Sequence, residues 1–241
     1  MNYTRIFSDG DLSFGNKFNL SMEASKHLSK VLRKKDGNLI RVFDGRGYSC
    51  LAEVTKKTKN ILEVEVVEDK KFIPQQGIKI FLGQSLIKPD SFSFSIQKAT
   101  ELGVVSITPL RTERTLTKFN EYSDSAKLSR WRKIAINACQ QCGEDWLPKI
   151  DTIKSLKSWC SIVRTKHKIV LYPGAKRRLS DLNFDSSLAI AIGPEGDFTK
   201  KEIELFEENK FIPVAMGNRI LRAETAVISS LSAIRTMCGE F

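Results

Sequence analysis

The spacing of apolar and polar positions divides the chain into two parts. Over residues 1–73 the apolar positions fall in short runs of strand composition, at 3–7, 39–43, 48–54 and 61–67, with Asp44-Gly45-Arg46-Gly47 as a turn between two of them. One stretch, 21–33, reads as a helix inserted among these strands. A polar break follows at 70–77, where Lys70-Lys71 and Pro74-Gln75-Gln76-Gly77 separate apolar runs. Beyond it, strands and helices alternate: strand 78–82, helix 90–102, strand 104–109, helix 122–142 and strand 168–172. Two further apolar runs, 188–192 and 211–216, each lead into a helix. The first helix, 200–209, is opened by the capping box Thr199 and Glu202; the second, 221–237, carries Leu221, Ala226, Ile228, Leu231, Ala233 and Ile234 at nearly helical spacing. The pattern predicts a β-rich unit over 1–73 and an α/β unit with a mostly parallel sheet over 74–241.

The two last strands are the most informative. One ends in Gly193-Pro194-Glu195-Gly196 and the other in Met216-Gly217-Asn218. Glycine-rich backbone at adjacent strand ends is where open α/β sheets hold their ligands. Neither stretch has the pattern of a dinucleotide fingerprint or a phosphate loop, which disfavours a pyrophosphate and a nucleotide-dependent oxidoreductase. Glycine backbone with the apolar walls of Ile192, Met216, Ile220 and Leu221 suits an adenosine moiety without phosphates. Spacing alone leaves ordinary strand-to-helix turn chemistry as the alternative.

Charge adds a second partner. The chain carries a formal charge of +11, but residues 74–178 hold 19 Lys/Arg against 8 Asp/Glu and residues 179–241 hold 6 against 10. A basic middle beside a less basic ligand site fits a protein that holds a polyanion while binding a small molecule elsewhere. The 26–35 stretch brings Lys26, Lys30, Arg33 and Lys34 to about one side of the predicted helix, for phosphate contact or as a solvated face. Cys139-x-x-Cys142 lacks a second cysteine pair, and the two histidines, His27 and His167, supply no ligand set, so no metal is expected. Five cysteines without framework spacing, no apolar run near the length of a membrane span and no signal-peptide pattern lead to an expectation of a soluble cytoplasmic protein.

Six stretches in order resemble the RsmE family of 16S rRNA methyltransferases, of the SPOUT class: His27-x-x-x-Val31-Leu32-Arg33; Phe43-Asp44-Gly45; Lys88-Pro89-Asp90 followed by Gln97-Lys98-Ala99-Thr100-Glu101-Leu102-Gly103-Val104; Trp131 with Gln141-Cys142-Gly143; 192–199; and 217–226. Glu144 departs from the family pattern, which has a basic residue after Gln-Cys-Gly. The resemblance implies an N-terminal PUA-like β-barrel over 1–73 that binds RNA and a C-terminal SPOUT α/β domain over 74–241 with a trefoil knot. It implies a homodimer that uses S-adenosyl-L-methionine to methylate N(3) of one uridine in 16S rRNA of the 30S subunit. The donor site would be formed by Leu171, Tyr172, Pro173 and Gly174, by Ile192, Gly193, Pro194, Glu195 and Gly196, and by Met216, Gly217, Asn218, Ile220, Leu221, Arg222 and Thr225. Arg5, Lys26, Lys30, Arg33, Lys34, Lys88, Lys98, Arg111 and Arg114 are the expected RNA contacts. A uracil N(3)–H must lose its proton to act as a nucleophile, so Arg222, with Arg219 as a lesser possibility, is expected to stabilise the anion and Glu195 to accept the proton. A non-catalytic, rRNA-binding assembly factor is the alternative.

Overall fold

The computed structural model describes residues 3–58, 61–115 and 121–241. It contains two compact units, Met1–Gln75 with Cys139–Leu147, and Gln76–Ala138 with Pro148–Phe241.

The first unit is a six-stranded sheet. Its strands are β1 (Arg5–Phe7), β2 (Lys17–Asn19), β3 (Leu39–Phe43), β4 (Tyr48–Lys57), β5 (Leu62–Val66) and β6 (Lys71–Phe72), in the order β1-β3-β4-β5-β2 with β6 also on β4. All pairs are antiparallel except β1 with β3. Strand β5 alternates buried Leu62, Val64 and Val66 with half-buried Glu63 and Glu65, so one face joins the core formed with Ile6, Leu28, Ile40, Val42 and Val54.

The single helix expected over 21–33 is two pieces. Helix α1 (Met22–Lys26) is capped by Ser21, and a π-helical turn, His27–Val31, continues it. Leu32 donates to the His27 carbonyl, Lys34 to the Leu28 carbonyl, and Arg33 takes φ 52°. That left-handed residue ends the helix, so Arg33 and Lys34 do not share a helical face with Lys26 and Lys30. Strands β2 and β6 have no counterpart in the apolar pattern because they carry little apolar sequence of their own.

Residues 139–147 complete this unit. Buried Asp145 pairs with Arg5 and accepts the Ser49 hydroxyl at 2.8 Å. Trp146 donates from Nε1 to the Ile73 carbonyl at 2.8 Å and lies so close to Gly47, at φ 90°, that a Cβ there would come within 2.7 Å of its ring. Any side chain at position 47 would displace the indole as well as strain the turn.

The second unit is an entirely parallel sheet. Strands β7 (Lys79–Ser85), β8 (Ser106–Arg111), β9 (Lys149–Ile150), β10 (Lys154–Ser155), β11 (His167–Leu171), β12 (Arg177–Arg178), β13 (Ser187–Ile192) and β14 (Ile212–Ala215) run in the order β10-β8-β7-β13-β11-β14-β12, with β9 also on β8. Residues 188–192 of β13 are all buried, as a central parallel strand covered on both faces should be. Its alternate positions Ala189 and Ala191 meet a cluster with Trp159 of α4 (Leu156–Ile162), Ile203 and Phe206 of α5 (Lys200–Glu208), and Phe211. Helices α2 (Pro89–Glu101) and α6 (Ala223–Met237) pack together, and Trp131 of α3 (Glu121–Cys142) lies 4.7 Å from Phe92 of α2, centroid to centroid. Helix α4 and strands β9, β10 and β12 were not foreseen from the pattern; each is only two to seven residues long.

Candidate active site

Strands β11, β13 and β14 lie side by side, and their carboxyl ends open into one cleft of about 710 Å³. Three loops form its walls: Leu171, Tyr172 and Pro173 after β11; Ile192 to Asp197 after β13; and Val214, Met216, Gly217 and 219–222 after β14. That volume lies in the range of small-molecule sites, and it forms where parallel strands end. Gly217 sits at φ 128° with nothing within 4 Å of the position a Cβ would take, so its backbone faces open space in the cleft. The loops that sequence separates by dozens of residues are therefore brought together.

Two helix N-termini point into the same space. Lys88 and Ser91 come from the start of α2, and Arg222, Ala223, Glu224 and Ala226 from the start of α6. Neither helix has a side-chain cap. At α2, the Lys88 N–H donates to Glu195 Oε1 at 3.1 Å, which fixes that carboxylate against the positive end of the helix. Arg222 occupies the N-cap of α6, is exposed, and among the described residues forms no ion pair with Glu195 or Glu224. A guanidinium beside a helix N-terminus concentrates positive potential, a suitable place for an anion.

The loop after β13 is held by a network that sequence only half reveals. Buried Glu202 closes the expected capping box, receiving the Thr199 N–H at 2.9 Å while Thr199 Oγ1 accepts the Glu202 N–H at 3.3 Å. Its other oxygen accepts the Glu113 N–H at 2.8 Å, and Arg114 donates to the Gly196 carbonyl. The turn after β8 is thereby tied to the cleft loop at two points. Asp197, half-buried at φ 61°, accepts its neighbour's N–H from Phe198 at 2.8 Å. Burial pushes its carboxyl above the usual range, opposed by that hydrogen bond and by the Arg114 charge.

Among the other expected donor-site residues, Gly174, Asn218 and Thr225 lie outside the cleft lining. Gly174 packs against the Tyr172 ring, and Thr225 is exposed on α6 while its neighbours Glu224 and Ala226 face the cleft. Ser91, Asp197, Val214, Ala223, Glu224 and Ala226 line it without having been foreseen. Asp197 lies within the 192–199 stretch, which was the available signal.

The expected RNA contacts are dispersed. Lys26, Lys30 and Arg33 are exposed and Lys34 half-buried on the first unit; Lys88, Arg111 and Arg114 are exposed on the second. Lys98 pairs with Glu101 at 2.8 Å and lies over the Phe94 ring. Arg5 is a correction: its guanidinium is committed to Asp145, to the Glu144 carbonyl and to the Phe43 face, and so serves the interior of its own unit. Glu144 shares that structural duty, its carboxylate accepting the Trp146 N–H at 3.0 Å.

Family models match the chain over most of its length: an RNA methyltransferase domain at residues 74–235 and an RNA methyltransferase PUA domain at residues 20–67. Ribosomal RNA small subunit methyltransferase E of Buchnera aphidicola is 32% identical over 239 residues, covering 98% of this chain and 94% of the relative. The chain belongs to the ribosomal RNA small subunit methyltransferase E family. The Bacillus subtilis member is 29% identical, with 90% of this chain and 89% of the relative covered. A Legionella pneumophila methyltransferase solved with bound S-adenosylmethionine superposes with TM-score 0.93 at 31% identity, covering 98% of both chains. The small subunit methyltransferase E of Neisseria gonorrhoeae, also solved with S-adenosylmethionine, gives 0.89 at 29%, again with 98% of both covered. Family membership makes this an RNA methyltransferase and sets aside the reading as a non-catalytic assembly factor. Among the described residues no group of His, Cys, Asp and Glu could hold a metal ion, and no helix is long and apolar enough to cross a membrane.

Proposed function

We propose that this chain transfers the methyl group of S-adenosylmethionine to N(3) of one uridine in the 16S rRNA of the 30S subunit, acting as a cytoplasmic homodimer. Residues 1–73, completed by 139–147, are the PUA-like RNA-binding part and the rest of 74–241 the catalytic part. The observation that carries this reading is the single cleft in which the loops after β11, β13 and β14 meet. Its backbone-rich, partly apolar walls suit an adenosine without phosphates, and two uncapped helix starts border the place where an anion would form.

S-adenosylmethionine, when bound, supplies an electrophilic methyl group on a sulfonium. Leu171, Tyr172, Pro173, Ile192, Gly193, Met216, Gly217, Ile220 and Leu221 would hold it, with adenine read by backbone groups of the last two loops. Arg222, exposed at the N-terminus of α6, stabilises the uridylate. Glu195, fixed by the Lys88 N–H, accepts the N(3) proton. Holding the two reactants in line supplies much of the rest of the rate. Support for the trefoil knot comes from strand order: β13 lies between β7 and β11, and β14 on the far side of β11, so the chain returns to both sides of β11 after leaving it, as a knot there requires.

Calorimetric titration with S-adenosylmethionine and S-adenosylhomocysteine is expected to give about one site per protomer. Mass mapping of rRNA from a deletion strain, with and without the gene restored, is expected to show one methylated uridine that returns on complementation. A flat titration with both ligands, or an unchanged uridine map, rejects the proposal.

A further inference from the structure

The first unit presents an aromatic surface that the donor cleft does not use. Tyr48 and Phe72 face each other across β4 and β6, their rings 4.8 Å apart, and Phe72 meets Trp146 edge to face at 6.0 Å. Phe72 is 49% exposed, Ile73 50% and Tyr48 36%. The row is built rather than incidental. Trp146 is fixed by its hydrogen bond to the Ile73 carbonyl and by Gly47, whose missing side chain makes room for the indole. Cations flank it: the Lys70 ammonium sits over the Tyr48 ring at 5.5 Å, and Arg46, whose Nε donates to Asp44 Oδ2 at 3.1 Å, leaves most of its side chain in solvent beside it.

We propose that Tyr48, Phe72 and Trp146 form a stacking platform for unpaired bases of single-stranded RNA, with Lys70 and Arg46 contacting the flanking phosphates. This rests on the reading of the chain as an RNA-binding methyltransferase. Every base offers a π-face, so a row of partly exposed rings binds unstacked nucleotides, whereas a duplex keeps its bases stacked on each other and gives such a row nothing to hold. The cations mark the occupant as polyanionic, since an apolar protein partner would gain nothing from ammonium and guanidinium groups at the edge of the rings.

The test uses the full chain with two RNAs of equal length, an unstructured oligouridine and a stable hairpin, with binding read by fluorescence anisotropy. Phe72→Ala and Tyr48→Ala are each expected to weaken binding to the oligouridine by about 5- to 100-fold, with hairpin binding and S-adenosylhomocysteine binding little changed. Phe72→Tyr should retain the affinity. Because Trp131 and Trp159 are buried, the half-exposed Trp146 should dominate quenching of tryptophan fluorescence by oligouridine in the unaltered protein, a readout independent of how the variants fold. Equal oligouridine affinity of the parent and Phe72→Ala overturns the platform, as does an equal loss on the hairpin, a change of oligomeric state in place of RNA affinity, or absence of quenching. A parent protein that binds neither RNA would instead reject the RNA-binding reading itself.

Discussion

Replacing Glu202 with alanine should uncouple the cleft loop from the turn after β8, and the size of the effect follows from the bonds it breaks. The Glu202 carboxylate is 5% exposed and accepts two backbone N–H groups, from Glu113 at 2.8 Å and Thr199 at 2.9 Å. Truncation leaves both donors without a partner and removes a negative charge from the first turn of α5. An unsatisfied buried donor costs about 1–3 kcal/mol, and the space left by the side chain admits water that repairs part of the loss, so about 2–4 kcal/mol is expected. For a unit of this size that corresponds to a fall in Tm of about 5–15 °C. Thermal unfolding followed by circular dichroism measures it, with Thr199→Ala as the comparison, since that variant loses only the reciprocal half of the capping box, about 1 kcal/mol. Cofactor affinity should fall in Glu202→Ala as well, because Gly196 and Asp197 line the cleft only a few residues upstream of Glu202. A Tm within about 2 °C of the parent, or no greater loss than in Thr199→Ala, would refute the assignment of Glu202 as a double anchor.

Three other outcomes are expected. Arg222→Ala should reduce methyl transfer by about 10- to 1000-fold while S-adenosylhomocysteine binding stays within a few fold, and the lost rate should recover as pH rises and the uridine ionises unaided; a parallel loss of donor binding would count against the role. Asp197 has a folded-state carboxyl pKa above its unfolded value, so it favours the folded state most below the unfolded pKa, and that contribution is lost as pH rises through the folded one. Asp197→Asn, which keeps both the left-handed backbone and an acceptor for Phe198, should therefore be at least as stable as the parent at pH 7 and lose its advantage near pH 3; denaturant titrations showing the reverse order would contradict this. Burial pushes the thiols of Cys50 and Cys160 to about 11 and of Cys139 to about 12, so these three should stay unmodified by a disulfide reagent at pH 8 until the chain is unfolded, while exposed Cys142 reacts at once.

Much of this architecture was legible where a local pattern was strong. The alternation in Leu62–Val66, the continuous apolar run at 188–192 and the Thr199/Glu202 capping box each report a short-range physical requirement, and each appears where the chain pattern puts it. Helix α4 left a fainter trace, since only Leu156, Trp159 and Cys160 mark its buried face. The π-helical turn was invisible because a switch from i+4 to i+5 bonding leaves no distinct residue pattern, and it changed where Arg33 and Lys34 stand. In the cleft, the glycine loops announced themselves, whereas Ser91 and Glu224 entered through helix starts whose position depends on how distant strands pair. Arg5 shows the same limit from the other side. As a basic residue near the start of a basic protein it reads as a phosphate contact, and only the fold brings it to Asp145, 140 residues away.

That pairing also bears on the order in which the protein can mature as it is made. The sheet strands of the first unit all lie before residue 73, yet the counter-charge for Arg5 and the indole that fills the space beside Gly47 arrive with Asp145 and Trp146. Until the ribosome has released about 147 residues, the N-terminal unit lacks both the acid that meets Arg5 and the indole that fills the space beside Gly47. An expression fragment cut near residue 75 inherits that deficit permanently, and neither half of this chain can be obtained in its native form by a single cut.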